Sequence, residues 1–297
     1  MSSEVTTAFV KKFAAGVRML QQQQGSRLRE AVQVDSDITG DRAFYDQTDA
    51  TSMSEVTNRH GDTEYTDTPH RRRMLTLKTY EVADLVDRAD QRRLLNDPIN
   101  PYTRSMAAAA NRQIDDTIIA AIDATAYTGV DGSGTSAFDT TNYQWEADAT
   151  ASSGTGATLN IAGLAKARSV LEAAENEEDD GDNKWFGVLN AESRQQLLNN
   201  TTVTSSDFNT VRALVNGSLE TYLGFKFLKS ERLSTHASGA TLLPFFVKRT
   251  IQLGIGQDPR AFMDVIPSKR HSTQVRYELD CGAVRMDEKG IGILAQT

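Results

Sequence analysis

Apolar positions along this chain follow two periods, and the longest regular stretch follows the helical one. Between Asn100 and Gly129 the residues Ala107, Ala110, Ile114, Ile118, Ala121 and Thr125 recur at helical spacing, widened by Ile119, Ile122 and Ala126. Asn100 and Pro101 form a helix start and Gly129 a left-handed stop, so the pattern predicts a spine helix over 101–128. Arg104, Arg112, Asp115, Asp116 and Asp123 fall on the side expected to be wet, and Ile114, Ile118 and Ile122 on the core side. About thirty residues at about 1.5 Å each give a rod of about 40 Å, longer than a compact domain of this size needs.

Ahead of the spine, Val5, Phe9, Phe13, Val17 and Leu20 make an amphipathic stripe that must lie on the body of the protein or on a neighbour. Leu28, Ala31, Val32 and Val34 read as a short strand. Residues 36–70 are then mostly polar, with too few large apolar groups for a core of their own. Arg71, Arg72 and Arg73 follow, and MLTLKTYEV alternates as a returning strand. An extended two-stranded loop, braced from outside its own subunit, fits this better than disorder. Asp84 to Asn96 reads as a short helix broken at Asp97-Pro98.

Beyond the spine, residues 129–160 are rich in Gly, Ser, Thr and Asp and read as a long surface connection. A regular α/β alternation follows: helices after the caps Asn160, Asn190 and Asp207, a buried strand at 184–189, and strands at 222–229 and 241–247. The chain then returns to strands. Ile251, Leu253 and Ile255 alternate, Phe262 to Ile266 form another run, and Val275, Tyr277, Leu279, Cys281 and Ala283 share one face.

Composition narrows the function. The 297 residues carry a net charge of −8, against a dedicated nucleic-acid binder, and one cysteine, against a disulfide framework. No apolar run reaches the roughly eighteen residues a membrane helix needs. His60, His70, His236 and His271 are scattered without metal-ligand spacing. The glycines of GVDGSG follow a helix instead of opening one, which is backwards for holding phosphate. The acids from Glu172 to Asp182 lack the closing glutamate of a calcium loop and read as a solvated loop. No catalytic group, cofactor or metal ligand is expected. The sharpest charged feature is Arg71–Arg73, expected to pair with acids of a neighbouring subunit because the loop shows no partner of its own.

The order of arm, long loop, spine, α/β body and returning strands resembles the major capsid proteins of tailed bacteriophages, which share the HK97 fold. The segments that carry the resemblance are RRRMLTLKTYEVADLVDRADQRRLLNDPINPYTRSMAAAANRQID and LLPFFVKRTIQLGIGQDPRAFMDVIPSKRHSTQVRYELDCGAVRMDEKGIGILA. It implies an α+β chain with an N-arm over 1–34, an E-loop over 35–83, a P-domain over 84–150 and 251–297, and an A-domain over 151–250. It also implies self-assembly into hexamers and pentamers of an icosahedral shell. That shell would enclose double-stranded DNA without tight specific binding and would include a portal protein. Phe9, Phe13, Arg71, Arg72 and Arg73 become inter-subunit contacts. With no long helical extension ahead of the arm, scaffolding, if needed, would be a separate protein, as would any decoration protein the shell carries, and Lys78 and Asn58 offer no recognisable cross-link. Assembly is then expected in the host bacterial cytoplasm. Two rivals stay open: an encapsulin-like compartment with protein cargo, and an α/β enzyme with a site in 157–250.

Overall fold

A computed structural model describes residues 22–36, 38–55, 61–63, 65–86, 99–151, 156–176, 184–199 and 221–297. Among the described residues a 3-10 turn (Arg29–Ala31) precedes β1 (Gln33–Asp35), β2 (Arg42–Thr48), β3 (His70–Thr76) and β4 (Lys78–Val86), then α1 (Ile99–Asp123). Next come β5 (Ala126–Thr128), β6 (Gly134–Ser136), α2 (Thr140–Tyr143), β7 (Gln144–Glu146), α3 (Ile161–Ala173), β8 (Trp185–Leu189) and α4 (Ala191–Asn199). The remaining strands are β9 (Thr221–Tyr222), β10 (Phe225–Lys229), β11 (Thr241–Val247), β12 (Ile251–Ile266), β13 (Ser272–Arg285) and β14 (Ile291–Gln296). They form three sheets, ordered β1-β12-β13-β4, β2-β3-β5-β6 and β7-β14-β11-β8-β10-β9.

The described residues divide into two compact units. One gathers 22–25, 80–86, 99–112 and 259–279. Within it Arg276 lies 2.7 Å from Glu278 and 3.7 Å from Glu81, and its guanidinium sits 5.3 Å from the Phe262 ring. Arg112 donates to the Gln22 side chain and to the Gln23 carbonyl, so these two glutamines are held on the helix.

The other unit holds the remaining described residues, including the six-stranded sheet. β8 and β10 run parallel, with Trp185 opposite Phe225, while β11 runs antiparallel to both β8 and β14. Every residue of β8 is buried, as its unbroken apolar run demands of a strand covered on both faces. Trp185, Phe225 and Phe245 meet at ring separations of 5.5 and 5.1 Å. Against them α3 presents Leu164, Ala167 and Leu171. Asn160 caps α3 by accepting from the Gly163 N–H at 2.9 Å, and Asn190 caps α4 by accepting from the Ser193 N–H at 2.7 Å. Gly163 permits close packing, since a Cβ there would sit 1.9 Å from the Ala147 carbonyl oxygen. Asn160→Ala leaves that N–H without its cap and is expected to cost about 1 kcal/mol in chemical denaturation.

Several elements differ from the sequence reading. The spine helix spans Ile99–Asp123, not 101–128. Its last predicted turn is drawn into β5, where Ala126 is buried and pairs with Ser136. Gly129, at φ +91°, therefore turns the β5–β6 hairpin instead of capping the helix. Asp115 is not wet but fully buried. Residues 129–160 do more than connect: they supply β6 and β7 to two sheets and bury Phe138, Gln144 and Trp145. Asp84, Leu85 and Val86 continue β4 instead of opening a helix, and the rest of that predicted helix lies outside the described residues. The runs at 251–255 and 262–266 are one strand, β12. The C-terminal strand β14, grouped by the sequence reading with 251–297, is hydrogen-bonded in the six-stranded sheet beside β11. The N-terminal stripe with Phe9 and Phe13, the helix after Asp207 and the acids at 177–182 lie outside the described residues.

Ile114 and Ile118 are fully buried and Ile122 nearly so. The Thr117 hydroxyl lies 3.7 Å from the Cys281 sulfur on β13, and burial pushes that thiol up. Ile119 and Ile122 face Leu242, Pro244 and Ile293 across a gap of about 10 Å³, with Asp123 and Ser234 at its lining.

Candidate assembly site at the hairpin root

The polar excursion folds back as an antiparallel hairpin. β2 and β3 stay in register from Arg42 opposite Thr76 to Thr48 opposite His70. Alternation then sends Ala43, Tyr45, Leu75 and Ala126 to the face that packs with Val284 and Met286. The opposite face keeps Phe44 and Tyr127 exposed.

Asp46 lies directly across from Arg72, which grips it through Nε at 2.5 Å and Nη2 at 3.2 Å. That hydrogen bond holds the Asp46 carboxyl below the usual carboxylate range, and the Arg72 guanidinium also lies 5.8 Å from the Phe44 ring. Arg71 donates to Asp49 at 2.6 Å. Arg73 points inward. Its Nε donates to the Met286 carbonyl at 3.2 Å, and its Nη2 lies 4.0 Å from Glu288. Burial pushes its pKa down, and Glu288 opposes that. All three arginines thus have partners in their own chain, which removes the ground on which the sequence reading sent them to a neighbour.

Behind the hairpin lies a fully buried Arg285. Nη1 donates to the carbonyls of Ile122 at 2.9 Å and Ala124 at 2.6 Å, at the end of α1. Nη2 donates to the Ser136 carbonyl at 3.1 Å and to Glu288 at 3.2 Å. The guanidinium sits 5.1 Å from the Phe138 ring. Desolvation lowers its pKa, and the charge and hydrogen bond of Glu288 work against that. The cation lies where the free carbonyls at a helix C-terminus concentrate negative potential. Glu288 also accepts from the Ser136 hydroxyl at 2.8 Å, and the Met286 carbonyl accepts from Gln47 on β2 at 3.0 Å. Residues 285–288 therefore tie the helix end, the β5–β6 hairpin and both strands of the long hairpin together.

A second anchor holds the segment before β1. The Asp115 carboxylate accepts from the Ser26 hydroxyl at 2.6 Å and from the backbone N–H groups of Arg27 and Leu28 at 3.1 Å. Its neighbour Asp116 is gripped by both Nε and Nη2 of Arg232.

Sequence reasoning missed Arg285 and Asp115, though signals for both were present. Two-residue alternation continued from Ala283 places Arg285 on the inward face of β13. Asp115 precedes Ile118, Ile119 and Ile122 by helical steps, inside the apolar stripe.

Among the described residues, no three of His, Cys, Asp and Glu are placed to hold a metal ion, and no helix is long and apolar enough to cross a membrane. The hairpin root offers strand edges, guanidinium forks and hydroxyls: groups that hold another surface and lack a nucleophile–base pair.

A family model described as phage capsid protein matches residues 5–297. Among solved structures, the capsid of cyanophage P-SCSP1u superposes with a TM-score of 0.72 at 15% identity, covering 100% of this chain and 95% of that one. A Mycobacterium phage Che8 chain gives 0.71 at 14% identity, covering 97% of both. The capsid of a native GTA particle gives 0.70 at 12%, covering 99% and 97%. No curated protein shows significant sequence similarity to the chain.

Proposed function

Since this chain belongs to the phage capsid protein family, we propose that it assembles with copies of itself into hexamers and pentamers of an icosahedral virion shell around double-stranded DNA. It is a structural major capsid subunit with an α+β, HK97-like fold. Its work is assembly, and it performs no catalysis. The observation that carries this reading is the family match over nearly the whole chain. A hairpin braced at its root supports it, because that hairpin leaves Met53 and Tyr65 almost wholly exposed beyond the strands, where a neighbour would cover them.

Residues 1–34 serve as an N-arm, 35–83 as an E-loop, 84–150 with 251–297 as a P-domain that lends β7 and β14 to the six-stranded sheet, and 151–250 as an A-domain. Phe9 and Phe13 on the arm meet neighbouring subunits, as do Arg71 and Arg72, whose side chains stay exposed beside their own-chain partners, while Arg73 is buried within its own subunit. A portal protein completes the shell, and assembly takes place in the host bacterial cytoplasm. The enclosed DNA is held without tight specific binding, as a net charge of −8 favours.

The test is negative-stain microscopy with light scattering on the protein expressed alone and with a co-expressed scaffold. Closed shells or capsomer-sized rings are expected, and Phe13→Asp or Arg71→Glu should lower their yield about ten-fold. A chain that stays monomeric at high concentration under both conditions would overturn the reading.

A further inference from the structure

We propose that Asp123 is a proton-operated catch at the junction of α1 and β5, tightening the helix end when neutral and loosening it when ionised. The residue closes α1, where the free carbonyls of the last turn concentrate negative potential. A carboxylate is the wrong charge for that end. Its half-buried side chain stands at the lining of the narrow gap beside Ile119, Ile122, Leu242, Pro244 and Ile293, with Ser234 as the other polar group there. Such surroundings withhold the solvation that an ionised carboxyl needs.

The strands packed against this helix end bring one charge to it, Arg285 on β13, and that guanidinium is engaged elsewhere. Nη1 donates to the carbonyls of Ile122 and Ala124, on either side of Asp123, and Nη2 donates to the Ser136 carbonyl and to Glu288. Leu242 and Pro244 on β11, Ile293 on β14 and Ser234 carry no charge. Among the described residues, the Asp123 carboxylate is hydrogen-bonded only by its own backbone N–H. Burial therefore pushes this carboxyl up, and its own N–H and the more distant Arg285 only partly oppose the rise.

Protonation removes the repulsion from the helix carbonyls and supplies an O–H that can donate to one of them. The folded junction holds this proton at a pH where the unfolded chain has already released it. The stabilisation is fully present below the ordinary carboxylate range and is lost as the pH rises through the raised value. Because Arg285 joins the helix end to residues 286–288, which hold Gln47 on β2 and Arg73 on β3, the catch also sets how firmly those strands are tied down.

The test is amide hydrogen exchange on the unassembled full chain, with parent and variants compared at the same pH so that the intrinsic pH dependence of exchange cancels. At neutral pH, Asp123→Asn should slow exchange about two- to five-fold in the last turn of α1 and in β5. The difference should close as the pH falls below the ordinary carboxylate range. Asp123→Glu keeps an ionisable group and should keep the pH dependence. In the parent, the carboxyl carbon of Asp123 followed by NMR should titrate with its midpoint above the ordinary carboxylate range, a readout that needs no variant. A midpoint within that range overturns the proposal. So does an Asp123→Asn chain that exchanges as fast as the parent or faster at neutral pH, or one that is slower by the same factor at every pH. None of these measurements requires shells, so their failure leaves the assembly reading untouched.

Discussion

Replacing Arg285 by methionine is expected to destabilise the unassembled chain by about 3–5 kcal/mol in chemical denaturation, the largest loss from any single side chain described. The methionine fills much of the volume, so the loss is one of hydrogen bonds. The carbonyls of Ile122, Ala124 and Ser136 lose their donor in a site where Arg285 was fully buried, and Glu288 loses its closest cation. Arg285→Lys should recover only part of it. A point-like ammonium cannot reach the two helix carbonyls and Glu288 together as a planar fork does. Because residues 286–288 also hold Gln47 and Arg73, hydrogen exchange should quicken in β2 and β3 as well as at the end of α1. A loss below about 1 kcal/mol would mean that water replaces the guanidinium without penalty.

Asp115→Ala is expected to cost about 2–4 kcal/mol, because it strands the Ser26 hydroxyl and two backbone N–H groups in a site where Asp115 was fully buried. The effect should be local first. Limited proteolysis should begin within 22–28, while the six-stranded sheet keeps its exchange protection. Asp115→Asn retains one acceptor oxygen and should fall between the parent and alanine. If cleavage in 22–28 is no faster in the alanine variant than in the parent, this carboxylate is not the anchor.

Local chemistry was legible in the sequence. Asn160 and Asn190 cap the helices they were expected to cap, since a cap depends only on residues within a turn of it. The buried run at 184–189 was legible for the same reason, since burial period is written into adjacent residues, whereas the returning strand read through MLTLKTYEV is broken at Leu77 into β3 and β4, which join different sheets. The ends of elements were harder. Helical spacing ran on to Ala126, yet that residue pairs in a sheet with Ser136, because tertiary pairing outweighs a weak local propensity.

By itself, then, the sequence determined the spine helix, the long polar hairpin, the α/β body and the order that marks the capsid fold. Only the tertiary structure decided what the charged groups do. Asp115 meets Leu28 across 87 residues of chain, and Arg285 meets Ile122 across 163. Periodicity tells which face of an element is apolar, and it is silent on which distant carbonyls or N–H groups will lie beside a charge. The same limit explains Arg71, Arg72 and Arg73: their neighbours in sequence show a strand, and their partners became visible only when that strand met β2 and the segment at 286–288. An ion pair or a buried charge is specified by proximity in space, and only the folded chain supplies it.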